Sequence, residues 1–417
     1  MRWSRKDRRE SPTSAEGSPA GPDRHGGRAA MRVVLSTTVQ AHTFDVAREL
    51  QRRGWLAALF TGYPRSRMAA KGLSGPEVRC FPIPVLAGML MNRLVRSQRF
   101  ALRTEAWPKV LFDRWVARRL PECDLFLATS SVGLASGRAA KARGAFWVCD
   151  RPCSHILTQN RLLDEEYRLH GLRWPGISRA IVERELAEYR EADAVLVASS
   201  FAERSFVREH GFPAERLWKV PYGIDLSRFH PDGEPDPAFF DVLFVGQLSF
   251  QKGVPYLLEA FDRLEVPNKR LTLVGAEQPG IDRYLAPFRD RPDVRVAGVL
   301  PQEGVRKEMS RAHVLVHPSV QEGMALVQAQ ALACGCPLIC TTNTGGEDLI
   351  AGSGSGQVVP IRDADALVAA LVEVERQVRT GGLDRTEIAA HAKRLPSWPG
   401  YVDALKQRFE QSVGGRA

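Results

Sequence analysis

Residues 317–339 read HPSVQEGMALVQAQALACGCPLI, a pattern typical of a strand, a ligand-binding loop and a helix. The apolar strand pattern ends at Pro318, the loop carries the carboxylate of Glu322, and a small-residue helix is predicted from about Met324. Backbone N–H groups at a helix start have no partner inside the helix and can receive sugar hydroxyls or phosphate oxygens. Gln330 follows Glu322 by about two helical turns and is therefore predicted on roughly the same face.

A second candidate site precedes this one in the chain. Residues 245–253 read VGQLSFQKG and lie between a predicted strand and an amphipathic helix. A glycine lets a ligand approach the backbone closely, and a lysine beside a helix start adds a full positive charge. The pattern predicts that an anion such as a diphosphate binds here, and the alternative is an exposed turn. The residues concerned are Gly246, Gln247, Lys252 and Gly253.

Short apolar runs alternate with amphipathic stretches along most of the chain, which is the pattern of parallel sheets covered by helices. Strands are predicted in the first half at 32–36, 56–61, 78–83, 124–129, 145–149 and 194–198, and in the second half at 242–245, 271–274, 294–296, 314–316 and 337–340. The predicted organisation is a disordered tail at 1–30, an α/β domain at 31–229, a linker at 230–238, a second α/β domain at 239–395 and a closing helical segment at 396–417.

Composition excludes several classes of protein. The chain has 417 residues, of which 44% are hydrophobic and 25% charged, so neither a disordered nor a fibrous protein fits. No run of 18 apolar residues occurs, and residues 1–30 lack the apolar core of a secretory signal. We therefore expect a cytoplasmic protein without a membrane-spanning helix.

The sequence predicts no metal site. The cysteine pairs at 149 and 153 and at 334 and 336 have no matching second pair, and free thiols are the default for a cytoplasmic protein. Asp363 and Asp365 form a two-aspartate string, but they precede a predicted helix whose dipole favours acidic residues at its start.

The formal net charge of +10 is concentrated at residues 65–119, which contain twelve basic residues and only three acidic ones, Glu77, Glu105 and Asp113. Trp, Phe, Leu and Met alternate with these charges, as in helices that bind anionic membrane surfaces. The alternative is a pair of core helices with a solvated basic face. Nucleic acid is not expected, because no recognised binding motif accompanies the charge.

Four segments in order resemble glycosyltransferase family 4. They are VPYGID at 220–225, the loop at 246–253, the stretch at 322–330, and Ser397 with Trp398 before the last helix. The stretch at 322–330 is similar to the family's glutamate-seven-residues-glutamate motif. The resemblance implies the α/β GT-B fold, in which two Rossmann-like domains face each other across a cleft and a C-terminal helix crosses back to the first domain. It also implies that 31–229 binds the acceptor and 239–395 the nucleotide sugar.

The sequence departs from the family pattern at three places. Gln247 replaces a frequent arginine, Gln330 replaces the second glutamate, and Met324 with Ala325 replaces a common Phe-Gly pair. An amide at 330 keeps one acceptor oxygen but loses the charge, so ribose binding should weaken. Glu322, the glutamate that faces the sugar, is retained.

The resemblance implies a retaining, metal-independent transferase that moves a hexose-type sugar from a nucleoside diphosphate to an acceptor, for instance a lipid-linked one in surface polysaccharide or glycoconjugate synthesis. In that interpretation Lys252 neutralises the diphosphate and Gln330 holds the ribose. Glu322 holds the sugar, together with the backbone amides of Gly323, Met324, Ala325 and Leu326. No cofactor is expected beyond the donor substrate. The alternatives are a nucleotide-sugar epimerase or hydrolase of the same fold, and a catalytically impaired nucleotide-sugar-binding protein.

The first half contributes three further candidates. His155 follows a strand and resembles the family's cleft histidine near the reacting sugar, although a helix-capping turn with Ser154 as the cap is the alternative. Thr38 and His42 follow the first strand and are predicted to contact the acceptor, because ligand sites lie outside the carboxyl ends of strands. The expected location is the cytoplasm, either free or peripheral at the inner face of the membrane through residues 65–119.

Overall fold

The computed structural model describes residues 31–39, 42–94 and 98–414, with the side chains of 92–94 and 98–99 left aside. The predicted tail at 1–30 lies outside these residues. The strands are β1 Val33–Thr37, β2 Leu56–Thr61, β3 Val78–Cys80, β4 Leu125–Thr129, β5 Phe146–Asp150, β6 Ala194–Val197, β7 Leu217–Lys219, β8 Phe240–Val245, β9 Lys269–Val274, β10 Val294–Gly298, β11 Val314–His317, β12 Leu338–Thr341 and β13 Gly356–Val359.

The helices follow the strands in an alternating order. They are α1 Thr43–Arg52, α2 Arg65–Ala69, α3 Ile83–Leu94, α4 Gln98–Thr104, α5 Ala106–Arg119, α6 Leu134–Lys141, α7 Ile156–Leu169, α8 Arg179–Glu191, α9 Ser200–His210, α10 Val254–Arg263, α11 Asp282–Leu285, α12 Gln302–Arg311, α13 Leu326–Ala333, α14 Gly346–Ile350, α15 Ala364–Arg379, α16 Arg385–Ala392 and α17 Trp398–Gly414. Short 3₁₀ turns occur at Ala214–Arg216 and Ala286–Phe288.

The strands form two parallel sheets, as the alternating pattern predicts. The first has the order β3-β2-β1-β4-β5-β6-β7 and the second the order β10-β9-β8-β11-β12-β13. Every residue of β1, β4 and β5 is buried, because helices cover both faces of the sheet. In α1, Phe44, Val46, Ala47 and Leu50 form the buried side.

Three strand positions differ from the prediction. The strand predicted at 78–83 ends at Cys80, and α3 begins at Ile83, because Pro82 and Pro84 fix a backbone angle that suits a helix start. The edge strands β7, Leu217–Lys219, and β13, Gly356–Val359, were not predicted, because apolar runs of only two residues gave no strand signal.

The last helix returns to the first half of the chain. Arg53, which directly follows α1, is ion-paired with Asp403 of α17 and donates a hydrogen bond to the Pro399 carbonyl at 3.0 Å. The Phe409 ring packs edge-on against Phe146 at a centroid distance of 5.8 Å. These contacts place α17 against the first sheet and its helices.

Helix α7 links the two α/β halves. The carboxylate of Glu166 is fully buried and accepts hydrogen bonds from Arg362 at 2.7 Å and Tyr256 at 3.2 Å, both in the second half. A second link is formed by Ser200, whose backbone N–H donates to Asp348 at 2.7 Å. Polar side chains therefore connect the two α/β halves directly.

Candidate active site

A cavity of about 610 Å³ lies between the carboxyl edges of the two sheets. Loops after β1, β5 and β7 contribute its first-half wall, and the ends of β8 and β11 with the segments after β8, β10 and β11 contribute its second-half wall. The lining residues are His42, Pro152, Tyr222, Phe229, Val245, Gly246, Gln247, Lys252, Leu300, Gln302, Val305, His317, Glu322, Met324, Ala325, Leu326, Val327 and Gln330. This position agrees with the general location of ligand sites in parallel α/β sheets.

The structure brings the two main sequence candidates into contact. The ammonium group of Lys252 forms an ion pair with Glu322, although the residues are 70 positions apart. Their side chains are 18% and 15% exposed, so the pair is accessible from the cavity but largely shielded from solvent. A cation and a carboxylate at one point of a cleft can bind an anionic group and sugar hydroxyls side by side.

Gly253 shapes this loop from outside the cavity. It has a left-handed φ of +67° before α10, and a Cβ atom here would lie 2.0 Å from the Pro318 carbonyl oxygen. Glycine is therefore required for the close approach of the two loops that carry Lys252 and Glu322.

The loop that carries Glu322, residues 318–325, extends past the helix start that the sequence indicates. Helix α13 begins at Leu326, with Ala325 as its N-cap, two residues later than expected. The Glu322 N–H donates to the Asn343 carbonyl at 2.9 Å, which anchors the loop on the next strand connection. Leu326 and Val327 line the cavity, so first-turn N–H groups of α13 are available beside Glu322.

This loop is also docked on the first half of the chain. A Cβ atom on Gly323 would lie 2.0 Å from the Pro152 carbonyl oxygen, so only glycine fits there. Gln321 donates from its amide to the Ser154 hydroxyl at 3.0 Å. Arg151 in turn holds the Ser154 carbonyl at 2.9 Å. The loop after β5 therefore positions the loop that carries Glu322, and Gly323 has a structural role outside the cavity lining.

His42 lines the cavity, as expected for an acceptor contact, and it has a partner that sequence reasoning missed. Its Nε2 atom lies 2.9 Å from Oδ2 of Asp150, and the two side chains are 2% and 1% exposed. The imidazole stacks on Tyr222 at a centroid distance of 4.2 Å. Thr38 is not among the lining residues. The signal available in the sequence was that Asp150 directly follows the strand predicted at 145–149, at the edge where ligand sites lie.

His155 does not reach the cavity. Its Nδ1 atom accepts the Leu157 N–H at 3.3 Å, which makes His155 itself the N-cap of α7 in place of the expected Ser154. The ring stacks on His210 at 3.9 Å and packs edge-on against Phe206. Burial, with the nearby charges of His210 and Arg151, lowers the pKa of His155 to about 3.

Several lining residues were not singled out from the sequence. Leu300, Gln302 and Val305 follow β10 and form an apolar and amide-bearing wall near Gln330, with Phe229 from the segment before the predicted linker. His317 ends β11 beneath Lys252, and burial together with that charge holds its pKa well below the ordinary value. The His317 ring is therefore neutral at physiological pH.

The two-aspartate string forms a helix start, as expected. Asp363 is the N-cap of α15 and accepts the Ala366 N–H at 2.8 Å, while Asp365 pairs with Arg263. Across residues 31–39, 42–94 and 98–414, no group of three His, Cys, Asp or Glu side chains is arranged to hold a metal ion.

Another cavity of about 610 Å³ lies at the opposite edge of the second sheet, against Phe240, His313 and Pro337. These residues precede or begin their strands. The edge formed by strand amino ends is not where α/β folds of this type bind their ligands, so this cavity is not assigned to the chemistry.

Comparison with known proteins agrees with this geometry. Residues 39–228 match the family described as Glycosyltransferase Family 4, and residues 240–377 match that described as Glycosyl transferases group 1. Each match covers one α/β half, and the cavity lies between them. The chain belongs to the family 4 type of glycosyltransferases, and its fold is GT-B.

Individual relatives are distant. The "Putative colanic acid biosynthesis glycosyltransferase WcaL" of Escherichia coli is 26% identical over 255 residues, which cover 57% of this chain and 59% of that protein. A D-inositol 3-phosphate glycosyltransferase of Xylanimonas cellulosilytica is 26% identical over 91% of this chain and 92% of that protein. The solved structure of Anabaena HepE in complex with UDP-glucose has a TM-score of 0.63 and 15% identity, covering 92% of this chain and all of that one.

Proposed function

We propose that this protein transfers a hexose-type sugar from a nucleoside diphosphate sugar to an acceptor hydroxyl, with retention at the anomeric carbon. The observation that carries the proposal is the contact between Lys252 and Glu322 beside the start of α13. A diphosphate and a sugar are adjacent in such a donor, and this arrangement offers a cation for one and a carboxylate for the other.

The residues have separate roles in the transfer. Lys252 and the N–H groups of α13 stabilise the negative charge that develops on the leaving diphosphate. Glu322 accepts hydrogen bonds from sugar hydroxyls, and Gln330 accepts from the ribose. The nucleobase of the donor lies against the wall formed by Leu300 and Gln302. Retention is part of the proposal because the family resemblance implies it, and the anomeric configuration of the product tests it by NMR.

Metal independence belongs to the same proposal. Because Lys252 and a helix start supply the positive charge at the diphosphate, transfer should persist in EDTA. A loss of activity that added magnesium or manganese restores would contradict this assignment.

The acceptor side is formed by His42, Tyr222 and Pro152. We propose a lipid-linked acceptor, supported by the excess of twelve basic over three acidic residues at 65–119. The protein then works in the cytoplasm, peripheral to the inner face of the membrane. Among the described residues, no helix has the length and hydrophobicity needed to cross a bilayer.

A donor screen tests the function. Purified protein is incubated with UDP- and GDP-sugars, with and without polyprenyl-phosphate-linked sugars, and nucleoside diphosphate release is measured. Acceptor-dependent release supports transfer, whereas equal release without acceptor indicates a hydrolase and conversion of the donor sugar indicates an epimerase. Nucleotide binding by calorimetry without any turnover would favour the impaired binding protein that Gln247 and Gln330 suggest.

A further inference from the structure

The two α/β halves meet along a line, named here the seam, that is formed by residues 151–154 and 320–323. The side chain of Gln321 crosses the seam. Its amide nitrogen donates to the Ser154 hydroxyl at 3.0 Å and to Sγ of Cys153 at 2.7 Å. Gln321 and Ser154 are fully buried, although they are 167 positions apart in the chain. Hydrogen bonds shielded from water in this way are costly to break.

The backbone closes the seam next to Gln321. A Cβ atom on Gly323 would lie 2.0 Å from the Pro152 carbonyl oxygen, so the two loops approach too closely to admit a water molecule. The hydroxyl of Ser199 donates to the Gly323 carbonyl from the first half. Pro152 also lines the cavity, so the seam borders the cavity within one residue of Glu322. An opening of the seam would therefore let water in beside Glu322.

Gln321 is tied to the loop that carries Lys252 as well. The amide nitrogen of Gln251 donates to the backbone carbonyl of Gln321 at 3.1 Å and to its side-chain carbonyl at 3.4 Å. The Val320 N–H donates to the Gln251 carbonyl at 2.8 Å. Gln251 directly precedes Lys252, and Gln321 directly precedes Glu322. A contact between two glutamines therefore supports the ion pair of Lys252 and Glu322 from behind.

The first-half side of the seam is firmly held. The guanidinium group of Arg151 is almost fully buried and donates to the Ser154 carbonyl at 2.9 Å. It also donates to the Glu185 carboxylate at 2.8 Å and to the Gln159 side-chain carbonyl at 2.5 Å. A buried cation with these partners is costly to displace, so Ser154 is a fixed point to which Gln321 can bind.

We propose that Gln321 is a positioning residue that keeps the seam closed and so directs the donor sugar to the acceptor and away from water. This inference rests on the proposed function. In transfer, the acceptor oxygen bonds to the anomeric carbon while the bond from that carbon to the diphosphate oxygen breaks. The diphosphate keeps the electron pair and takes up the hydroxyl proton. In hydrolysis, water supplies the oxygen and the proton, and free sugar forms. A closed site prevents this side reaction.

The test compares two fully buried glutamines. Gln321→Met keeps the length of the side chain and removes its amide. The control is Gln328→Met, because the Gln328 amide donates only within the second half, to the carbonyls of Ala325 at 3.3 Å and Thr344 at 3.0 Å. Ser154→Ala removes one acceptor from the opposite side of the seam and replaces Gln321→Met if that variant does not fold. Thermal melts of the full-length proteins verify folding.

Free sugar and glycosylated acceptor are measured in the same reaction. The ratio of hydrolysis to transfer should rise about tenfold in Gln321→Met and about threefold in Ser154→Ala, as expected for the loss of one or two buried hydrogen bonds. Gln328→Met should keep the wild-type ratio, since loss of structure alone lowers both products together. Combining Ser154→Ala with Gln321→Met should add nothing further, because the two residues share one contact.

A second measurement needs no substrate. The half-buried thiol of Cys153 accepts the Gln321 amide at the seam, so alkylation of Cys153 by iodoacetamide should be about tenfold faster in Gln321→Met. Peptide mass spectrometry resolves the individual cysteines. Cys80 at the end of β3 is also half-buried and serves as the internal reference.

Two results would overturn the inference. One is a ratio of hydrolysis to transfer in Gln321→Met equal to that in Gln328→Met. The other is a rate of Cys153 alkylation, relative to Cys80, that Gln321→Met leaves unchanged. A wild-type protein that turns over no donor with any acceptor contradicts the proposed function instead, and the alkylation rates then still decide whether Gln321 closes the seam.

Discussion

The imidazole of His42 and the carboxylate of Asp150 lie 2.9 Å apart at the first-half wall of the cavity, and each side chain is almost completely buried. A buried carboxylate beside one ring nitrogen fixes the tautomer and orientation of the imidazole. His42 therefore presents a defined edge toward the cavity, which suits a residue that orients an acceptor hydroxyl.

Asp150→Asn should reduce transfer by about tenfold to a hundredfold, mainly through a raised acceptor KM. Asparagine replaces the charged oxygen beside Nε2 of His42 with a neutral amide that can favour the other tautomer of the ring, and the loss of an interaction with a charged group costs about 1.5–3 kcal/mol. UDP affinity by calorimetry should not change, since the donor groups belong to the second half. Asp124→Asn, at the opposite edge of the same sheet, serves as the control. Equal kinetics for the two variants would contradict the role of His42.

Lys252→Ala should lower turnover by one to three orders of magnitude and weaken UDP binding. Loss of a well-placed charge in a transition state costs about 2–4 kcal/mol. Lys307→Ala, which removes a lysine paired with Glu303 on the exposed side of α12, is the control. A change below threefold in steady-state turnover would exclude the diphosphate role.

The sequence was sufficient to predict that Lys252 and Glu322 lie at the same edge of the second sheet, because both lie in loops that follow strands, where parallel sheets place ligands. It was not sufficient for the pair of His42 and Asp150, which are 108 positions apart and meet only because β1 and β5 both border β4. The sequence also did not predict that His155 lies outside the cavity. Its ring is held by His210 of α9, a tertiary contact that local patterns do not encode.

The buried ring of His155 predicts a pH dependence of stability. Its pKa is about 3 in the folded state, mainly through burial, and about 6.5 in an unfolded chain. Between these values the unfolded state binds the additional proton, so the free energy of unfolding falls as pH decreases below about 6.5. The contribution is fully present above that pH.

His155→Asn should reduce this acid sensitivity, since asparagine does not titrate and can still cap α7. Urea denaturation at several pH values measures the slope, which should decrease by up to about 1.4 kcal/mol per pH unit for one proton. Transfer at neutral pH should remain near the wild-type rate because the ring lies outside the cavity. A folded variant with strongly reduced transfer would instead indicate that His155 takes part in the transfer reaction.

The ion pair between Lys252 and Glu322 predicts opposite effects of one substitution on binding and on catalysis. Glu322 compensates the charge of Lys252, so an incoming diphosphate must compete for that charge. Glu322→Gln removes the competitor. A partly shielded pair of this kind contributes about 0.5–1 kcal/mol, so UDP should bind about two- to fivefold more tightly.

Transfer by the same variant should fall by about tenfold to a hundredfold. Glutamine cannot offer two charged acceptor oxygens to sugar hydroxyls, and each such hydrogen bond contributes about 1.5–3 kcal/mol. Calorimetry with UDP and steady-state transfer assays separate the two effects, and a thermal melt close to that of the wild type shows that the loop is intact. If UDP binding weakens together with transfer, Glu322 organises the loop at 246–253 and does not hold the sugar.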